Sequence, residues 1–161
     1  MCRMQKVTTF LWYDDQAEQA AQRYVSLLPN SRIVRVERMG ADDADPSAGT
    51  VVVTFDLDGI EYQAMNAGPL FPFTEAISIS VLCDDQAEVD RLWDALTADG
   101  GEPSRCGWLK DRWGLSWQIV PRALIELQRD PDPARARRAN DAMLQMGKID
   151  IAALYAAADA G

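Results

Sequence analysis

Histidine is absent from all 161 residues. That excludes Ser-His and Cys-His nucleophile pairs, the commonest general base, and every zinc or iron site with an imidazole ligand. Any chemistry falls to carboxylates, Lys, Tyr, thiols or bound water. Cysteine is scarce: Cys2, Cys83 and Cys106 are odd in number and lack CxxC spacing, which reads as reduced thiols rather than a disulfide framework. Cys106 as a nucleophile would need a lysine or a helix N-terminus to activate it. No apolar run approaches the roughly 20 residues that span a bilayer. The opening MCRMQKV lacks the apolar stretch of a signal peptide, so a cytoplasmic protein is expected. Neither GxGxxG nor GxxxxGK occurs, which removes the glycine-rich phosphate cradles. Basic residues are also short, 16 Lys+Arg against 25 Asp+Glu for a net charge of −9. This opposes nucleic acid as a partner, because phosphate contacts need clustered cations, and it opposes anionic membranes.

What is present is a globular composition, 48% apolar, in a length suited to a single domain over 1–161. One pentapeptide, DDQAE, occurs at Asp14–Glu18 and again at Asp84–Glu88. Both copies follow an apolar run and open a helical pattern. VTTFLWY (Val7–Tyr13) is β-branched and aromatic and reads as a strand. Ala17, Ala20, Ala21, Tyr24, Val25 and Leu28 then recur at helical spacing, predicting a helix from about Gln16 to Pro29. SRIVRVER alternates like a strand, GADDADPSAG is a turn-rich loop, and Asp58-Gly59 between two apolar runs predicts a tight hairpin.

The order then restarts. AISISVLC is a strand, a helix carries Val89, Leu92, Trp93 and Leu96 up to Gly100-Gly101, and EPSRCGWLKDRWGLSWQIVP supplies a short strand and a hairpin turning near Trp113-Gly114. The fold class is therefore α+β, a duplicated βαβββ module at 7–66 and 76–121. A helical tail at 122–161 completes the chain, with helices predicted over Ala134–Met146 and Ile149–Ala158 and Ala142, Met143, Met146, Ile149, Ala153 and Leu154 as buried positions. In each pentapeptide the second Asp stands three residues before a Glu, the spacing of a capping box, so the repeat is read as one helix entry used twice.

These paired modules, with FLWYDDQAEQAAQRYVSLLPNSRI in the first, FTEAISISVLCDDQAEVDRLWDAL in the second and CGWLKDRWGLSWQ near the end, resemble the PhnB-like family. This is a branch of the vicinal oxygen chelate superfamily of glyoxalases, bleomycin resistance proteins and extradiol dioxygenases. Members often carry the label demethylubiquinone methyltransferase. A nucleotide-fold methyltransferase would show a glycine-rich strand-to-helix turn and an acid ending the next strand, and neither is present.

The resemblance implies sheets curled around a ligand cavity, and a homodimer. In the superfamily a divalent metal is held by His and Glu from the first and last strands of each module. The matching strands here offer Thr8, Thr9, Glu61, Gln63, Asn66, Ser78, Ser80, Ser116 and Gln118. Hydroxyls and neutral amides compete poorly for transition metals, so no metal and no cofactor is expected. The ligand-binding candidates are Trp12, Phe71, Phe73, Trp108 and Trp117 as aromatic lining, with Gln63, Asn66 and Gln118 as hydrogen-bonding groups. Alternation puts Trp117 opposite Gln118, so only one of them faces a ligand. Lys110, beside Asp111, is a candidate anchor for an anion, and Glu75 at the module junction a candidate carboxylate. The expected function is binding of a small molecule without the usual metal site. The alternatives are a lyase, isomerase or dioxygenase with an oxygen-ligand metal or none, and a structural module whose cavity its own side chains fill.

Overall fold

The computed structural model describes residues 5–40 and 49–161. Most of the expected GADDADPSAG loop, at 41–48, lies outside them. The chain divides into two compact units, Met1–Pro72 and Phe73–Gly161.

In the first unit, β1 (Thr9–Tyr13) leads to α1 (Ala17–Leu27), β2 (Arg32–Met39), β3 (Thr50–Leu57) and β4 (Ile60–Asn66). The sheet order is β1-β4-β3-β2, with β1 and β4 parallel and the other pairs antiparallel. Asp58 and Gly59 turn the β3–β4 hairpin with φ of 48° and 77°, the left-handed pair that a two-residue turn requires. Alternate residues of the sheet face α1: Leu11, Tyr13, Val53, Phe55 and Ala64 are buried there against Ala17, Ala20, Ala21 and Tyr24. The Tyr13 and Tyr24 hydroxyls meet at 2.9 Å inside this core.

The second unit repeats the order with β5 (Ser78–Cys83), α2 (Gln86–Thr97), β6 (Glu102–Pro103), β7 (Trp108–Lys110) and β8 (Ser116–Pro121). Its sheet, β5-β8-β7-β6, again has its first and last strands parallel. The register shows how closely the duplication holds. Phe10, four residues before the first Asp of its pentapeptide, pairs with Gln63, and Ser80, four before the second copy, pairs with Gln118. By the same register, Tyr13 pairs with Asn66 and Cys83 with Pro121.

That last difference decides how each helix begins, and it corrects the expectation of one shared entry. Asp85 caps α2, accepting from the Glu88 amide at 2.9 Å, while the Glu88 carboxylate accepts from the Asp84 amide at 2.7 Å. The first copy makes no such bond, and the N-cap of α1 is Gln16, without a side-chain cap. The Oδ1 of Asn66 instead accepts from the Ala17 amide at 2.7 Å. Pro121, at the equivalent place in the second unit, carries no side-chain acceptor, so α2 depends on its own aspartate. Freed from capping, Glu18 pairs with Arg38 at 2.7 Å.

The tail adds α3 (Arg122–Gln128), which the sequence pattern does not mark, then α4 (Pro133–Met143) and α5 (Ile151–Ala158). Leu124, Leu127, Ala139, Ile149, Leu154 and Ala158 form its core, with Val120, Ala142, Met143 and Met146 packed alongside. The tail is fastened to its own unit. The amides of Cys106 and Gly107 donate to the carbonyls of Met146 and Gly147, each at 2.8 Å. Gly107 permits this approach: its φ is +83°, and a Cβ there would lie 2.8 Å from the Ile119 carbonyl oxygen.

Candidate functional site

Each sheet has one face under its helix and one face away from it, and strand alternation sorts the candidate residues between them. In the first unit Trp12 and Gln63 share the face away from α1. Trp12 donates its indole N–H to the Gly68 carbonyl at 2.8 Å, and its ring meets Phe71 edge to face at 5.0 Å. Gln63 donates to Thr54 Oγ1 at 3.4 Å, and Thr54 is fully buried. Phe71 is 58% exposed, so an aromatic edge is open to solvent beside Trp12. Asn66 lies on the opposite face, under α1, where it caps the helix. Its amide oxygen is thus committed to the helix, and Asn66 does not share the face that carries Gln63. Gln63 and Asn66 are three residues apart in a strand, an odd number, which places them on opposite faces.

In the second unit the face away from α2 holds Trp108, Lys110, Ser78, Ser80, Ser116 and Gln118 in a paired register: Trp108 with Gln118, Lys110 with Ser116, and Ser78 with Ser116. Gln118 donates to Ser78 Oγ at 2.9 Å. Ser116 Oγ is buried without a hydrogen-bond partner. Phe73 is half-buried beside the hairpin, its Cβ 4.0 Å from where a Cβ on Gly114 would stand.

Trp117 is corrected from ligand lining to core. It is 1% exposed on the helix side, where its indole N–H donates to Asp111 Oδ2 at 3.0 Å. The other Asp111 oxygen accepts from the Trp113 and Leu115 amides at 2.9 and 3.0 Å. Asp111 is therefore the buried keystone of the hairpin, while its neighbour Lys110 points to the other face. There Lys110 Nζ lies 2.6 Å from Glu75 and 3.9 Å from Glu102. The Glu75 hydrogen bond and charge hold the lysine above its ordinary pKa, and the lysine holds the Glu75 carboxyl below its own.

The donor set does not fit the metal that the superfamily carries. The first and last strands present hydroxyls and amides on the faces away from the helices, with Glu61 as their carboxylate. Among the described residues no group of three or more His, Cys, Asp or Glu converges. Two surface grooves lie elsewhere, about 710 Å³ beside α1 and about 520 Å³ between α2, α3 and α5. Their polar linings are largely committed: Glu18 to Arg38, Arg122 to Asp84, and Asn66 and Asp85 to capping. Gln63 and Gln118, equivalent between the modules, line neither groove.

Two βαβββ modules, each with parallel first and last strands and each burying one face under its helix, define a protein of the vicinal oxygen chelate fold. Solved structures agree. The fosfomycin resistance protein FosX from Listeria monocytogenes is 16% identical, over 81% of this chain and all of its own, with a TM-score of 0.54. A protein from Pseudomonas aeruginosa is 20% identical over 73% of this chain and 97% of its own, also at 0.54. At such identities the likeness concerns the fold alone. A PhnB protein from Bacillus cereus, named as a 3-demethylubiquinone-9 3-methyltransferase, is 32% identical over 73% of this chain and 99% of its own, with a TM-score of 0.64. The chain belongs to that PhnB-like family: the model of the family described as 3-demethylubiquinone-9 3-methyltransferase matches residues 5–120. No curated protein sequence matches the chain.

Proposed function

We propose that this PhnB-like protein binds a small organic molecule on the sheet faces turned away from α1 and α2, without the superfamily's usual metal site, and that it does so as a homodimer in the cytoplasm. The observation that carries this reading is the pair Gln63 and Gln118, equivalent by register in the two modules and each on the face away from its helix. One has Trp12 on its face, and the other has Trp108 as its cross-strand partner. An aromatic surface with a fixed amide suits a flat ligand that carries a polar group. The family's methyltransferase description finds no support in either sheet, since neither has the all-parallel, glycine-turned arrangement that holds a dinucleotide-like cofactor.

The test is native mass spectrometry of untagged protein purified without chelator or affinity metal, with elemental analysis of the same sample. A dimer mass carrying an organic adduct and no stoichiometric metal is the expected result. One divalent ion per subunit would overturn the metal-free reading and direct attention to Glu61 and Glu75.

A further inference from the structure

The small-molecule reading leaves the ligand's chemistry open, and on the strength of that reading the second unit narrows it. Lys110 and Ser116 are direct cross-strand partners on the face away from α2, and Ser116 is in turn opposite Ser78. Directly opposed residues hold their Cβ atoms roughly 4.5–5.5 Å apart. An ammonium and two hydroxyls therefore form one polar row, with Trp108 two residues along the same face from Lys110.

Two features of this row are unfinished. Ser116 is 1% exposed, yet its hydroxyl makes no hydrogen bond, a condition that folded proteins generally avoid. Lys110 is satisfied, but by a group from outside the ladder: Glu75 comes from the segment ahead of β5, and its side chain is 63% exposed. A carboxylate delivered by a connecting segment thus sits on the ammonium, while the hydroxyl beside it goes without an acceptor. A ligand carboxylate answers both, one oxygen to Lys110 Nζ and the other accepting from Ser116 Oγ. The single ammonium suits a monoanion, because Glu102 at 3.9 Å already sets a second negative charge against it; a phosphate dianion would need a further cation.

We propose that Lys110 and Ser116 form a carboxylate-binding subsite, whose lysine Glu75 holds in the ligand-free protein and releases when an aromatic carboxylate binds over Trp108.

The experiment is a 1H–15N NMR titration of the full chain with benzoate and, separately, with benzamide, its neutral counterpart. Benzoate is expected to shift the Trp108 indole and the amides of Lys110 and Ser116. Glu75→Gln removes the resident competitor and should tighten benzoate about threefold, the scale of a solvent-exposed ion pair. Lys110→Met should weaken benzoate about tenfold or more and leave benzamide unchanged. Ser116→Ala should weaken benzoate several-fold with no loss of thermal stability, since it removes a hydroxyl that bonds to nothing. If benzoate and benzamide bind alike and neither responds to Lys110→Met or Glu75→Gln, the carboxylate subsite is wrong while the binding face stands. If neither probe moves a resonance of the wild-type or Glu75→Gln protein, the subsite and the binding reading fall together.

Discussion

Lys110 and Asp111 look alike in the sequence, two charges beside a hairpin, and the fold gives them opposite roles. Asp111 is buried and accepts three hydrogen bonds, from two turn amides and the Trp117 indole. Asp111→Ala leaves all three donors without this acceptor, and a loss of about 3 kcal/mol is expected from urea unfolding, more than one neutral bond contributes. A loss below about 1 kcal/mol would mean that the turn satisfies itself. Cys83 is a second buried group with a sign that can be worked out. Burial, aided by the nearby Glu88, pushes its thiol up to about 12, whereas an unfolded thiol titrates near ~8.5. The folded state therefore keeps its proton where the unfolded state loses it. The stability this contributes is complete below about pH 8.5 and is lost as pH climbs toward the folded value. Stability measured from pH 8 to 10.5 should fall more steeply for wild type than for Cys83→Ala; equal slopes would refute the shift.

At the scale of elements, helix capping separates what the sequence revealed from what it withheld. The duplicated order, the Asp58-Gly59 hairpin and the helix faces were legible because periodicity and turn chemistry are local. The partner of a helix N-terminus was not. Asn66 reaches Ala17 across 49 residues, and only the parallel register of β1 and β4 brings them together. The same long-range fact sets Asn66 on the face opposite Gln63. Trp117 was partly legible, since alternation opposed it to Gln118, but the side that faces α2 required the packed sheet. The short α3, directly after Pro121, was hidden by its length of 7 residues. Asn66→Ala and Asp85→Ala should each cost about 1 kcal/mol, the usual scale of a lost cap. Asp15→Ala, at the matching place in the first module, should stay within about 0.5 kcal/mol. Urea midpoints for the three variants decide this, and an Asp15 effect as large as that of Asp85 would restore the shared helix entry.

For the molecule as a whole, the family match ends at residue 120, and the helices from Arg122 onward are built on beyond it. Among the described residues no helix is long and apolar enough to cross a membrane. The apolar face of the tail is buried in its own core and against Val120. Besides the Cys106–Met146 and Gly107–Gly147 bonds, the pentapeptide itself fastens the tail to the repeat. Gln86 donates to the Ile149 carbonyl at 3.0 Å and to Asp90 at 2.9 Å, and its Oε1 accepts the Ile151 amide at 2.8 Å. Gln16, its counterpart in the first copy, is exposed at the start of α1. The two glutamines thus have identical neighbours in sequence and different roles, because only the second module has a tail to hold. Gln86→Ala should cost about 1–3 kcal/mol, since it frees both an amide and a carbonyl. The loss should also be local: hydrogen exchange should quicken in α5 and at the Gly107–Gly147 junction while the β1–β4 sheet keeps its protection. Uniform quickening through both units would mean that the tail and the repeat unfold as one cooperative body, and that Gln86 is a support of the whole fold rather than the clasp of its last helix.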